Sequence, residues 1–88
     1  GTEIKSAMSG IVTQVSTEGD YGNHIKIQNG EVLTVYAHCS ELEVNVGDYI
    51  MQGQEIGKVG ATGKVTGPHL HFEIRVNGVA YNPQYYLY

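Results

Sequence analysis

The sequence predicts a small all-β domain: a mostly antiparallel sheet, open and barrel-like or sandwich-like, with short strands and glycine-rich turns. Three observations predict it. Twelve of the 88 residues are glycine, about twice the usual share, and glycine suits turns with positive φ while weakening helices. The apolar residues alternate or run in short groups between glycines, and no window carries a helical stripe. Asn29-Gly30 and Asn77-Gly78 each lie between apolar runs, the two-residue signal of a hairpin.

In chain order, Gly10 to Ser16 reads as a strand carrying Ile11, Val12 and Val15. Asp20-Tyr21-Gly22-Asn23 reads as a turn. His24 to Gln28 follows, with Ile25 and Ile27 on one face and His24, Lys26 and Gln28 on the other; His24 reads as a surface residue. After Asn29-Gly30, Val32 to His38 returns as a strand, and Ser40 to Glu43 is expected to form one helical turn. Val44 to Ile50 and Gly53 to Gly60 read as short strands split by glycines, and Gly60 to Pro68 as a glycine-rich loop. His69 to Val76 is the clearest strand: Leu70, Phe72, Ile74 and Val76 face one way, and His69, His71, Glu73 and Arg75 the other. It turns through Asn77-Gly78 into Val79-Ala80-Tyr81, which Asn82-Pro83 ends. Six to eight strands are thus expected in a single domain over residues 1–88. A chain of this size buries about 60–65% of its extended surface, so its stability is expected to be modest.

Composition narrows the function classes. Nine acidic residues against five basic ones give a net charge of −4. A phosphate-backbone binder needs a basic face, so no nucleic-acid partner is expected. No apolar run approaches the roughly 20 residues of a membrane span. No charged-plus-apolar leader is present, so any signal peptide is expected outside these residues. The single Cys39 cannot form an internal disulfide. It follows His38 directly, and neighbouring strand residues point to opposite faces, so Cys39 reads as a small buried residue rather than a nucleophile paired with that histidine. Tyr81, Tyr85, Tyr86 and Tyr88 crowd the last eight residues and read as a tail over a sheet edge, with a binding surface as the alternative.

The chemistry concentrates in Gly67-Pro68-His69-Leu70-His71-Phe72-Glu73. Strand period puts His69 and His71 on one face, about 6.5–7 Å apart along the chain. Pro68 lacks an N–H and suits the start of such a strand. Two adjacent imidazoles can share one centre, one binding a metal through nitrogen and the other hydrogen-bonding a water or a substrate oxyanion. A solvated polar face is the competing reading. His38 ends another strand, where alternation places it with Thr34 and Tyr36, opposite Leu33, Val35 and Ala37. If that strand pairs beside the His69 strand, three imidazoles converge on one groove; otherwise His38 is an exposed strand end.

These segments resemble the lysostaphin or LytM-type zinc metalloendopeptidases of bacterial cell walls. Gly1-Thr2-Glu3-Ile4 with Ala7, Ser9-Gly10 and Val12 resembles that domain's early strands. Tyr21-Gly22-Asn23 resembles its Y-G-N turn, and Tyr36-Ala37-His38 its Y-A-H motif, with Cys39-Ser40 where Leu-Ser is usual. Val46-Gly47-Asp48 and Gly53-Gln54-Glu55-Ile56-Gly57 resemble its V-G-D and G-Q-x-I-G run. Thr62-Gly63 and then Thr66-Gly67-Pro68-His69-Leu70-His71-Phe72-Glu73 resemble its T-G-P-H-L-H-F-E signature, and Asn82-Pro83 its closing N-P. The matches run in order through essentially the whole chain.

The resemblance implies a mostly antiparallel sheet forming an open groove, and an endopeptidase acting on peptidoglycan peptides at an extracellular or cell-surface location in the bacterial envelope. It implies that His71 is a zinc ligand and that His69 and His38 are the catalytic histidines, general base and oxyanion stabiliser beside the metal. One departure stands out. The family supplies two further zinc ligands through an H-x-x-x-D motif ahead of the segment that begins here at Gly1, and no H-x-x-x-D occurs in these residues. A catalytic zinc takes about three protein ligands plus water, so the chain as given, with one, is expected to bind little zinc and to be inactive alone. An H-x-x-x-D encoded before Gly1 would mark an enzyme. Its absence would mark a non-catalytic relative that binds peptidoglycan or a protein partner. An edge strand left open would also favour self-association. Ile4 to Val12 and the V-G-D and G-Q run also resemble biotinyl and lipoyl carrier domains, but the only candidate lysine, Lys64, lies between Gly63 and Val65 and lacks the expected flanks.

Overall fold

The computed structural model describes residues 2–19, 21–60 and 71–81. Nine strands are described: β1 (Glu3–Lys5), β2 (Gly10–Ser16), β3 (His24–Asn29), β4 (Val32–Ala37), β5 (Cys39–Leu42), β6 (Tyr49–Ile50), β7 (Glu55–Val59), β8 (His71–Val76) and β9 (Val79–Tyr81). They form a six-stranded sheet, ordered β6-β2-β3-β4-β8-β9, and a three-stranded sheet, ordered β1-β7-β5. Every pairing is antiparallel. The all-β expectation holds, as an open two-sheet arrangement with no closed barrel among the described residues.

Alternation explains how the sheets meet. Ile25 and Ile27 of β3, Tyr36 of β4 and Phe72 of β8 point inward from the large sheet. Ile4, Ile56 and Val59 meet them from the small one. Gly57 sits in that contact, where an added Cβ would lie 3.7 Å from Cδ1 of Ile25. Tyr36 is the largest fully buried side chain among the described residues. Its ring lies 5.2 Å from that of Phe72, and its hydroxyl accepts the Ala7 N–H at 2.9 Å. The core thus ties the chain after β1 to the centre of the large sheet.

Both hairpin signals turn where expected. Gly30 and Gly78 have positive φ, and Asn29 pairs with Val32 across the first turn as Val76 pairs with Val79 across the second. Three expectations fail. Nine strands are described where six to eight were expected. Ser40 to Glu43 forms no helical turn, because Cys39–Leu42 pairs with β7 as an edge strand of the small sheet. Of the predicted strand over Val44 to Ile50, only Tyr49–Ile50 forms one. Its Val46-Gly47-Asp48 segment instead makes a turn in which Gly47 N–H donates to Val12 and Asp48 N–H donates to Asn45. Residues 61–70, which hold most of the predicted Gly60 to Pro68 loop together with Lys64 and His69, and residues 82–88, with Tyr85, Tyr86 and Tyr88, lie outside the described residues.

Candidate active site

The site grows from the register between β4 and β8. Ala37 pairs with His71, Val35 with Glu73 and Leu33 with Arg75. Directly paired residues share a sheet face. Leu33, Val35 and Ala37 therefore line the same outer face as His71, Glu73 and Arg75, while Thr34 and Tyr36 share the inner face with Ile74 and Phe72. Strict alternation would put His38 on the inner face, away from His71.

The structure places it otherwise. His38 has φ of 63°, a left-handed conformation uncommon for a residue with a side chain. It is the corner at which the chain leaves the large sheet after β4 and enters the small one as β5. The break in alternation brings the His38 ring to 5.9 Å from the His71 ring, edge to face. Convergence of these two imidazoles is thus observed, by a backbone break rather than by the alternation that the sequence suggested. The strain is held by hydrogen bonds on both sides. His38 N–H donates to Tyr21 C=O at 2.9 Å, Gly60 N–H donates to His38 C=O at 3.1 Å, and Cys39 N–H donates to Asn23 C=O at 2.9 Å. The Asn23 side-chain amide returns a bond to Cys39 C=O at 3.1 Å.

These bonds stitch the Tyr21-Gly22-Asn23 turn to the corner and deliver Tyr21 to the site. Its ring stacks on His71, with centroids 5.8 Å apart and planes 29° from parallel. Its hydroxyl donates to Glu73 Oε2. His71 Nε2 donates to the same oxygen at 2.7 Å. Arg75 donates to Glu73 Oε1 through Nε at 3.2 Å and Nη2 at 3.0 Å, and Nη2 also reaches the Tyr21 hydroxyl at 3.1 Å. Burial pushes the Glu73 carboxyl up, but the bonds from Tyr21, His71 and Arg75 outweigh it and hold the group below the usual carboxylate range. Burial, then the neighbouring Glu73, pushes the Tyr21 phenol up.

His24 lies on the predicted face but is not a surface residue. It is 4% exposed, covered by Tyr21, whose ring meets it edge-on at 5.3 Å. Its Nδ1 donates to Gly22 C=O at 2.9 Å, as a carbonyl can only accept. Cys39 is fully buried, as expected, and burial pushes its thiol up to about 11, which makes it a poor nucleophile. Sequence reading missed Tyr21 as a site residue. Its Y-G-N context marked only a turn, and nothing local tells which side chain 52 residues away that turn will meet.

The arrangement offers two adjoining imidazoles, one anchored to a buried carboxylate, beside the buried Val35 and Ala37 of β4. Such a pair can ligate a metal and exchange protons. Among the described residues no group of three or more His, Cys, Asp or Glu is placed to hold a metal ion. His71 fits one ligand position with an outer carboxylate partner, and the described residues supply no complete set.

Comparison with known proteins agrees with this architecture. The chain is 42% identical over 85 residues to peptidoglycan DD-endopeptidase ShyC of Vibrio cholerae, covering 96% of this chain and 20% of that protein. It thus spans about a fifth of the length of the curated relatives it matches. The catalytic domain of lysostaphin, an antimicrobial peptidase from Staphylococcus simulans, superposes with a TM-score of 0.88 at 38% identity, over 94% of this chain and 68% of that one. A chain of the SpoIIQ–SpoIIIAH pore forming complex superposes at 0.78 and 38% identity, over 86% of this chain and 50% of that one. The family model for peptidase family M23 matches residues 1–83, and with the two-sheet fold and the paired histidines already in place, the chain belongs to that family.

Proposed function

We propose that this chain is the sheet and histidine face of a zinc-dependent endopeptidase that cleaves peptidoglycan peptides in the bacterial cell envelope. The observation that carries the reading is the left-handed corner at His38, a strained conformation whose effect is to set one imidazole beside another. Relatives such as ShyC support the substrate class.

In this reading His71 is a zinc ligand, completed by ligands outside the described residues. Zinc held there would supply Lewis-acid chemistry to a water and to the scissile carbonyl. His38 holds and moves a proton beside it, and His69, which precedes His71 by two residues, is the second catalytic histidine. On their own the 88 residues are proposed to bind little zinc and to cleave nothing. A structurally similar chain occurs in the SpoIIQ–SpoIIIAH pore forming complex, and the second reading is a domain that binds a protein partner.

The test uses the full-length protein that carries this chain, incubated with purified peptidoglycan and followed by muropeptide analysis. New peptide termini are expected, lost on chelation and on His38→Ala. An unchanged muropeptide profile from the folded, zinc-loaded protein would overturn the enzymatic reading and leave the binding one.

A further inference from the structure

Beyond the histidines lies a closed set of hydrogen bonds that the proposed chemistry does not use. We propose that Glu73 is a positioning residue for His71, fixing the tautomer and ring plane of that imidazole, and that Tyr21 and Arg75 hold the Glu73 carboxylate in place to do so. The proposal deepens the reading of His71 given above and rests on it for its functional meaning.

An ionised carboxylate only accepts. Glu73 faces the Tyr21 hydroxyl and His71 Nε2 on one oxygen and two Arg75 nitrogens on the other. The proton between His71 and Glu73 therefore sits on Nε2, and Nδ1 becomes the basic nitrogen of the neutral ring. A neutral imidazole has two tautomers of similar energy in water, and the hydrogen bond made by one nitrogen decides the state of the other. The carboxylate is itself constrained. Arg75 bridges Glu73 Oε1 and the Tyr21 hydroxyl, so the three side chains close a ring of bonds. Glu73 is 8% exposed, unlike the partners of a solvated surface ion pair. Tyr21 adds a second restraint by stacking on the His71 ring it helps to anchor. His24 also meets the Tyr21 ring, at 70° to its plane. The restraint thus acts on the ring plane as well as on the proton.

A merely structural ion pair would hold the turn at Tyr21 to β8 without selecting a tautomer, and the test separates the two roles. The chain is labelled with nitrogen-15, and long-range proton–nitrogen correlations of His71 are recorded without metal at a pH where the imidazoles are neutral. Wild type is expected to show a single tautomer with the proton on Nε2. Glu73→Ala is expected to populate both tautomers, with the ratio changed about tenfold or more. Tyr21→Phe, which keeps the carboxylate, is expected to retain the Nε2–H form as the major species. If Glu73→Ala does not fold, Glu73→Gln, of nearly equal volume, is read in its place and is expected to shift the ratio the same way. A wild-type proton on Nδ1, or a wild-type tautomer in the folded Glu73 variant, would overturn the proposal. Metal is absent throughout, so failure of the zinc reading leaves this result standing, and failure here leaves that reading open.

Discussion

Substituting Gly60 by alanine should damage the fold and the site together. Gly60 follows β7 and donates its N–H to His38 C=O at 3.1 Å. A Cβ there would lie 2.5 Å from Ser40 N, 2.6 Å from Ser40 Cβ and 2.7 Å from Ser40 Cα. None of these atoms is the tip of a flexible side chain. Reaching the 3.4 Å of ordinary contact requires Gly60 and Ser40 to part by about 0.7–0.9 Å. The same movement stretches the Gly60–His38 bond and the 3.1 Å bond from the Ser40 hydroxyl to Val59 C=O beyond useful length. Two hydrogen bonds at about 1 kcal/mol each, plus about 1–3 kcal/mol of overpacking, give a loss of about 3–5 kcal/mol. A domain of this size has only about 4–13 kcal/mol in total, so the thermal midpoint should fall by 12 °C or more, on the order of 4–8 °C per kcal/mol. Gly30→Ala is the comparison. Unlike Gly60, Gly30 has a φ of +59°, which favours glycine, but nothing lies within 4 Å of the added Cβ, so it should cost about 1–2 kcal/mol from the backbone alone. Urea titrations of both variants provide the measurement. A Gly60→Ala chain within about 0.5 kcal/mol of wild type, or no less stable than Gly30→Ala, would refute the argument that the corner at His38 depends on this close approach.

Two further outcomes follow from buried polar groups. Tyr36→Phe removes the hydroxyl that accepts the Ala7 N–H while keeping the ring against Phe72; urea unfolding should show a loss of about 1–3 kcal/mol, and a neutral result would mean that water replaces the bond. Cys39 should make stability fall with rising pH: its folded pKa, about 11, exceeds the ordinary 9.0. The contribution is complete below pH 9, and between 9 and 11 the unfolded thiol ionises while the native one does not, costing up to about 3 kcal/mol. Cys39→Ala should flatten that part of the curve, and equal slopes in the two proteins would rule the thiol out.

Much of the fold was legible because strand signals are local. Gly10 to Ser16 is read to the residue, and the faces of β8 follow from alternation alone. The Asn-Gly turns needed only their own two residues and the runs beside them. The small sheet was harder to read. Glu3-Ile4-Lys5 offers one apolar residue, and Cys39–Leu42 mimics a helical turn until β7 pairs with it. Burial of His24 was equally hidden, since the ring that covers it arrives from the preceding turn.

The sequence by itself therefore determined the class of fold, the histidine face of β8 and the likeness to wall peptidases, since these depend on residue type and short spacing. Only the tertiary structure decided that His38 reaches His71 through a left-handed corner, and that Tyr21 and Arg75 close on Glu73. The physical reason is range. Alternation propagates along one strand and stops where the backbone leaves the β region. Contacts between residues some fifty positions apart exist only once strand pairing and the bonds at the corner have brought them together.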